Sequence, residues 1–364
     1  MVNKLVLENL RHRRLRTFLG TLAIGVEVTM ILTVVGISHG LLDDAARRTR
    51  GVGADILVRP PGSSIIGLSS APMPEKILEV VRQMPHVSLA TGTAVHPIGG
   101  VDTVTGIDIE EFARLSGGFR YLAGGPFKNP DDVLIDERYA RQRRLRAGST
   151  LEIMNRKWRV CGIVESGKLA RIFLPLRLLQ DLSANTGRLT VVYVKLDDPM
   201  NTDQLIADLK ARLPGYPVYS LEEFASLLTV DNVAGSRAFI NVVIGLSVIV
   251  GFIVVSLSMY TAVLERTREI GILKSLGATP VFIVGLLARE TSLLALAGSV
   301  LGILFTYGTR WLIMNYVPGS LSQNIVPGWW PIATAIAVMG ALLGAVYPGW
   351  RAARQDPIEA LAYE

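Results

Sequence analysis

The sequence ERTREIGILKSLGATP, residues 265–280, is a short charged stretch between two apolar segments, residues 239–264 and 281–313. A helix needs about 20 consecutive apolar residues to cross a hydrocarbon core about 30 Å thick, and both flanking segments are that long. A helix-compatible charged loop held between two membrane spans is well placed to receive a push from a soluble partner. The stretch therefore predicts a membrane protein that another protein drives.

Two further apolar segments, residues 17–38 and 331–350, bring the predicted spans to four. Half of the residues are hydrophobic and only 19% are charged, which excludes an ordinary soluble globular protein. Any one segment could be a buried core helix, but four together make that interpretation improbable. The first segment is too long for a secretory signal peptide and no small-x-small cleavage site follows it, which favours an uncleaved anchor. Cys161 is the only cysteine, so no internal disulfide can form.

The distribution of basic residues predicts the orientation. Arginine and lysine cluster before the first span, in the 265–280 loop and after the fourth span, whereas residues 315–330 carry no charge. Because such clusters lie on the cytoplasmic side, we expect both termini and the loop to be cytoplasmic. The expected organisation is a cytoplasmic amphipathic helix (1–16), a first span (17–38), an extracytoplasmic domain (39–238), a second span (239–264), a cytoplasmic coupling loop (265–280), a third span with an interfacial start (281–313), a short outer loop (314–330), a fourth span (331–350) and a cytoplasmic tail (351–364).

The segment 39–238 has mixed α/β character. Residues 54–58 and 189–196 resemble strands, and residues 74–84 and 201–213 resemble helices, with Asn201 as an N-cap. Residues 133–135, 150–154 and 158–164 suggest a separate small β module, so two subdomains are expected. The predicted fold class is an α-helical membrane protein with four transmembrane helices plus an α/β (α+β) extracytoplasmic domain inserted between helices 1 and 2.

Three fragments imitate nucleotide-binding motifs. Residues 162–169, GIVESGKL, match a phosphate-binding loop except that Leu169 replaces the Ser or Thr that holds Mg²⁺. Residues 115–119 and 133–137 resemble the signature and Walker B motifs of ABC ATPases, but the phosphate-binding loop, which comes first in those ATPases, comes last here. All three fall in the segment assigned to the outside, where ATP is scarce. With no zinc-ligand spacing and no nucleophile elbow either, we expect no ATPase site and no enzyme.

Glu27 lies about midway through the first span. An ionisable group there costs at least ~2.5 kcal/mol unless it is shielded. Two interpretations remain open: a carboxylate that lines a substrate cleft or a helix interface, or a packing residue hydrogen-bonded to nearby backbone. Arg289 and Glu290 are expected near the membrane interface, hydrated or paired, with no special role.

Residues 265–278 resemble the ER-x-REIGIL-(K/R)-ALGA block of FtsX/MacB-type ABC transporter permeases. Residues 347–354, YPGWRAAR, and 356–361, DPIEAL, resemble their C-terminal signature. Residues 125–136, 147–149 and 158–164 are similar to their periplasmic core. The chain is thus identified as a member of this family. Because no ATPase domain is fused at its N-terminus, it looks more like the stand-alone, LolC-like subunits.

The resemblance implies a multi-pass protein of the cell inner membrane. Two permeases would pair, as a homodimer or a heterodimer, above two copies of a separate ABC ATPase that binds ATP and Mg²⁺. This chain itself would bind no cofactor and no nucleic acid. Its other expected partners are membrane lipids and a periplasmic adaptor protein. Residues 265–278 would be the coupling helix, in which Ile270, Leu273 and Lys274 share one face. The expected coupling residues are Glu265, Arg268, Glu269, Ile270, Gly271, Leu273, Lys274, Leu276 and Gly277.

The function that the resemblance implies is mechanotransmission. ATP hydrolysis by the partner would move the outer domain and thereby export or extract a lipophilic or amphiphilic substrate, as in efflux or lipoprotein transport. The alternative is an FtsX-like signalling scaffold that activates an external cell-wall hydrolase and transports nothing. A third class, an intramembrane enzyme, needs a polar constellation that Glu27 alone does not supply.

Overall fold

The computed structural model describes residues 14–63, 72–99, 102–233, 235–317 and 321–354. The predicted amphipathic helix therefore lies almost wholly outside the described residues, as does most of the predicted tail. The chain divides into two compact units. The membrane unit comprises residues 1–38, 235–312 and 323–364, and the α/β unit comprises residues 39–234 and 313–322.

The described helices, in chain order, are α1 (Arg14–Arg50), α2 (Lys76–Arg82), α3 (Ile109–Ser116), α4 (Glu137–Arg143), α5 (Leu176–Leu182), α6 (Thr202–Arg212), α7 (Leu221–Leu227), α8 (Ser236–Glu265), α9 (Thr267–Ser275), α10 (Pro280–Tyr316) and α11 (Trp329–Arg354). The described strands are β1 (Ile56–Val58), β2 (Met73–Pro74), β3 (Val87–Gly99), β4 (Asp102–Ile107), β5 (Tyr121–Gly124), β6 (Asp132–Asp136), β7 (Thr150–Ile153), β8 (Arg156–Val164), β9 (Ile172–Pro175), β10 (Arg188–Leu189), β11 (Val191–Leu196) and β12 (Val218–Ser220).

Four of these helices, α1, α8, α10 and α11, are long and apolar enough to cross a membrane. Together with the α/β unit they give the predicted fold class. Helix α1 does not end with the first predicted span at Ser38 but continues to Arg50. The reason lies in Leu42 and Ala46, which are one helical turn apart and both buried, so the helix keeps an apolar face beyond the span. From His39 onward α1 belongs to the α/β unit.

Helices α1 and α10 approach closely at Gly298 and Gly302. A Cβ at Gly298 would lie 2.7 Å from Ile24 Cβ, and one at Gly302 would lie 2.7 Å from Val28 Cβ. The Thr29 hydroxyl, also on α1, donates across this contact to the Gly302 carbonyl at 3.2 Å. Small residues that let backbones approach are the usual contact between membrane helices. The Gly298-x-x-x-Gly302 pair is thus the surface of α10 on which α1 packs.

Helix α11 packs on α8 through small side chains. A row of alanines at four-residue spacing is buried on α11: Ala333, Ala337, Ala341 and Ala345. Ser256 of α8 donates its hydroxyl to the Gly344 carbonyl of α11 at 2.9 Å. The two helices are held by close packing and a hydrogen bond, since lipid provides no hydrophobic force between them.

The α/β unit contains a ten-stranded sheet in the order β12-β1-β11-β3-β4-β9-β6-β8-β5, and the tenth strand, β7, also pairs with β8. The strands predicted as a separate β module, β6, β7 and β8, belong to this same sheet, which corrects that prediction. The long strand β3 explains the continuity, because its first half pairs with β11 and its second half pairs with β4. Each half of the sheet has one hydrophobic cluster of its own, and a third cluster joins the two halves, for example through Leu57 of β1 and Leu134 of β6.

The start of α6 differs from the sequence-based expectation. Asn201 occupies the N-cap position, but its side chain makes no capping hydrogen bond. A 3-10 turn, Pro199–Asn201, precedes the helix, and Asp198 caps it by accepting from the Met200 N–H. The Asn201 side-chain nitrogen instead lies 3.1 Å from His86 Nδ1.

Candidate coupling site

The candidate site is the short helix α9 between α8 and α10. A single residue, Arg266, separates α8 from α9 and turns the chain with φ −113° and ψ 12°. At the other end Gly277 takes a left-handed φ of 93°. Its N–H donates to the Lys274 carbonyl, and the Ala278 N–H donates to the Leu273 carbonyl. These two bonds form a Schellman cap, which explains why the sequence reads Leu-Gly-Ala at this point.

Helix α10 begins as the cap of α9 ends. The Thr279 hydroxyl accepts from the Phe282 N–H at 3.3 Å, and Pro280 occupies the first helical position, where its missing N–H costs nothing. The turn between α9 and α10 is therefore only a few residues long. Helix α9 is therefore joined to a predicted span by a short connection at each of its ends.

One face of α9 packs inside the membrane unit. Ile270 is buried in a cluster with Val263, Ile283 and Leu287, and Thr267 and Gly271 are buried too. Ile270 and Gly271 thus pack within the chain, and a role of these two residues in coupling to the ATPase stays a prediction. Leu273 and Lys274 are half-buried, and the Lys274 ammonium donates to the Ala353 carbonyl of α11 at 2.9 Å.

The opposite face of α9 is exposed. Of the expected coupling residues, the exposed ones are Glu265, Arg268, Glu269, Leu276 and Gly277. Ile272 and Leu276 are 44% and 79% exposed, one turn apart, and Ser275 lies beside them on the same surface. Ile272 was missed from the sequence, although a residue about 200° round the helix from Ile270 must point away from it. We call Arg268, Glu269, Ile272, Ser275 and Leu276 the α9 outer face.

A buried ion pair lies at the first end of α9. Arg266 Nη1 donates to Glu290 Oε2 of α10 at 2.8 Å. Arg266 is 6% exposed and Glu290 is completely buried. Of the two alternatives expected for Glu290, hydrated or paired, the structure shows the paired one, and the residue is buried. The pairing of residues 24 positions apart could not be read from spacing along one helix.

Glu27 lies at an interface between helices. It is 7% exposed, and its carboxylate rests against Gly251 of α8, where a Cβ would collide with it. Its Oε1 has no hydrogen-bond partner among the residues that the structure describes. The helix-interface interpretation fits this placement, whereas a carboxylate fully bonded to the backbone does not.

A second group of buried charges lies in the α/β unit. Asp44, on the last turns of α1, accepts hydrogen bonds from Arg138 of α4 at 2.6 Å and from Arg171 at 2.7 Å. Arg48 Nε lies 3.4 Å from the same carboxylate. Arg138 belongs to an arginine-rich helix that the sequence presents as solvated, yet it pairs with an acid 94 positions away.

The fragment that imitates a phosphate-binding loop has a structural role. Lys168 Nζ donates to the carbonyls of Ser116, at 2.9 Å, and Gly118. Residues 162–164 of the same fragment lie in β8. The lysine of this fragment thus binds backbone carbonyls at the end of α3. In the described ranges no group of three His, Cys, Asp or Glu side chains could hold a metal ion.

Two protein-family models match the chain. Residues 17–212 match the MacB-like periplasmic core domain, and residues 241–357 match the FtsX-like permease C-terminal region. The second match contains all of α9 and the Arg266–Glu290 pair.

Several curated proteins are similar to the chain. The macrolide export ATP-binding/permease protein MacB from Shewanella sp. (strain W3-18-1) is 27% identical and aligns with 99% of this chain and 60% of its own length. The uncharacterized ABC transporter permease YknZ from Bacillus subtilis is 29% identical over 60% of this chain and 55% of its own length. The chain thus spans little more than half the length of these relatives.

Solved structures similar to the chain cover about half of it. The periplasmic region of MacB from Actinobacillus actinomycetemcomitans covers 49% of the chain at 15% identity, with a TM-score of 0.38. The extracellular domain of the transporter YknZ covers 46% at 16% identity, with a TM-score of 0.35. The matches cover 94% of the MacB chain and 99% of the YknZ chain.

Proposed function

Because the chain belongs to the FtsX/MacB-type family of ABC transporter permeases, we propose that a separate ATPase drives it by mechanotransmission. In this proposal ATP hydrolysis moves the extracytoplasmic α/β unit and so exports or extracts a lipophilic or amphiphilic substrate. Family membership and the four apolar helices make the chain a multi-pass inner-membrane protein. The cytoplasmic position of both termini and of α9 is part of the proposal.

The observation that carries the proposal is the two-sided character of α9. Its inner side is fixed to the chain's own helices by Ile270 and Arg266. Its outer face combines exposed apolar side chains, Ile272 and Leu276, with the charged Arg268 and Glu269. Exposed apolar side chains rimmed by charges are typical of a protein–protein contact. We propose that this face is seated in a groove of the ATPase.

The partners follow from the same proposal. Two copies of the ATPase would carry ATP and Mg²⁺ beneath a dimer of permeases, surrounded by membrane lipids, and a periplasmic adaptor could complete the assembly. The curated relatives from Shewanella and Escherichia coli are named macrolide export proteins, which supports an amphiphilic substrate class for this chain. The comparisons give no support to the signalling scaffold.

The test is co-purification of the tagged full chain from its native membrane in mild detergent. We expect a small ABC ATPase in about equal amount, and we expect the permease to stimulate its hydrolysis of ATP. The double variant Ile272→Asp, Leu276→Asp should lose both binding and stimulation, because it places two charges in an apolar contact. The matched control is Met200→Asp, which makes the same kind of change at a 90% exposed side chain of the α/β unit. Normal stimulation by the double variant would contradict the coupling role of α9.

A further inference from the structure

We propose that the Arg266–Glu290 ion pair is the joint that fixes α9 to the third span, so that a push on α9 displaces α10 with it. The inference rests on the proposed function of α9. It assigns to the pair a positioning role, separate from the surface that contacts the ATPase.

The position of Arg266 is that of a corner. The residue ends α8 and begins α9, and its side chain reaches Glu290, ten residues or about 15 Å along α10 from Pro280. The corner is therefore bonded to α10 at a point ten residues from the start of that helix. Because of this bond, α10 moves with the corner when α9 is pushed.

The chemistry of the ion pair indicates that it fixes the position of the corner more than it stabilises the folded chain. Removing two charges from water costs several kcal/mol per ion, and buried pairs can often be replaced by apolar residues of similar volume without loss of stability. The apolar cluster of Val263, Ile270, Ile283 and Leu287 already surrounds the corner and could hold it by itself. Apolar contacts are non-directional, whereas a charge-assisted hydrogen bond of 2.8 Å fixes two atoms at one distance.

The other end of α9 has an attachment of its own. The Lys274 ammonium donates to the Ala353 carbonyl near the end of α11. Helix α9 is thus bonded to α10 at its first end and to α11 at its last. With both attachments in place the short helix cannot rotate freely, and its displacement must be shared with the third and fourth spans.

The experiment measures the distance between α9 and the far end of α10. Spin labels are placed at Ser275→Cys and Trp311→Cys, two exposed positions, in the full chain carrying Cys161→Ser. The distance is measured in the chain free of ATPase, because Ser275 belongs to the α9 outer face. In the labelled parent chain we expect one narrow distance distribution. In Arg266→Met, Glu290→Leu the distribution should broaden even without nucleotide, and stimulation of the ATPase should fall about fivefold or more, the lower end of typical coupling between sites.

Three further variants separate the outcomes. The charge exchange Arg266→Glu, Glu290→Arg should restore both the narrow distribution and the stimulation. Glu290→Gln keeps a hydrogen-bond acceptor for Arg266. The distance distribution can therefore still be measured in this variant if the apolar pair does not fold. Arg289→Leu changes the exposed neighbour and should behave like the parent. Stimulation and co-purification are measured on chains without the labels, and co-purification should be normal in all of them, because their α9 outer face is unchanged.

The failures are distinguishable. A narrow distribution and full stimulation in a folded apolar pair would overturn the joint and leave the docking role intact. A parent chain that binds no ATPase would contradict the proposed function, and the nucleotide-free distance would still report whether the pair fixes α9.

Discussion

Arg171 donates a hydrogen bond to Asp44 at 2.7 Å, although the two residues are 127 positions apart and both are more than 90% buried. The contact ties the last turns of α1 to the residue that leads into β9. Breaking a buried pair by removing one partner leaves the other charge uncompensated. We expect Asp44→Asn to lower the free energy of unfolding of the α/β unit by about 3 kcal/mol.

The measurement for Asp44→Asn is thermal unfolding of the purified full chain, with Asp208→Asn as the control at an exposed position. The control should unfold at the parent temperature. Equal unfolding temperatures for both variants would mean that the arginines find other partners and that Asp44 does not secure α1.

Gly298→Ala should separate α1 from α10. The added methyl would lie 2.7 Å from Ile24 Cβ and 2.9 Å from the Thr21 carbonyl oxygen, and overpacking of this kind costs typically about 1–3 kcal/mol. The control is Gly308→Ala on the same helix, where a Cβ meets nothing within 4 Å. We expect a lower unfolding temperature in detergent only for Gly298→Ala. The same temperature for both would show that α1 shifts to accommodate the methyl.

Glu27→Gln should impair movement of the substrate more than binding of the ATPase. The substitution keeps the shape of a side chain that fits against Gly251 but removes an acid whose Oε1 lacks a partner in the described part of the chain. Buried acids in membrane spans mark functional positions by default. Substrate export from vesicles and ATPase co-purification are compared in the same preparation. Loss of both to the same extent would identify Glu27 as a packing residue.

Cys161 should be almost unreactive in the folded protein. Burial, with the Asp132 carboxylate adding to it, raises the pKa of the Cys161 thiol to about 12. At pH 8 the thiolate, which is the reactive form, is then on the order of one molecule in ten thousand. Mass spectrometry should find little maleimide adduct in the native state and full modification in denaturant. Met200→Cys, at an exposed position, is the positive control, and rapid labelling of native Cys161 would contradict the raised pKa of its thiol.

The spans were predictable because their length and apolar content reflect one dominant cost, that of placing polar groups in hydrocarbon. The end of α1 was not, because Leu42 and Ala46 are ordinary apolar residues until the α/β core is known to cover them. The orientation of α9 could not be read from the sequence for a similar reason. Ile270, Leu273 and Lys274 do share a face, but helical spacing does not say whether that face meets a partner or the chain itself.

The long-range charge contacts were also beyond prediction. Arg266 and Glu290, or Asp44 and Arg171, come together only through the packing of separate elements. A charged residue near the end of an apolar segment has the same local pattern whether it faces water or a buried partner. Lys168 shows the opposite case. Its sequence resembles a phosphate-binding loop, but its side chain only donates a hydrogen bond to a carbonyl at the end of α3.

At the alanine row on α11, the size of a residue and not its polarity decides whether a substitution is tolerated. Ala333, Ala337, Ala341 and Ala345 leave no volume for a larger side chain, while neighbours such as Met339 and Leu343 are about 60% exposed in the isolated chain. Leucine would therefore be rejected at these four positions and tolerated at exposed ones such as Met339. A hydropathy scale ranks leucine above alanine for a membrane helix, so it would score the most damaging substitutions in this helix as improvements.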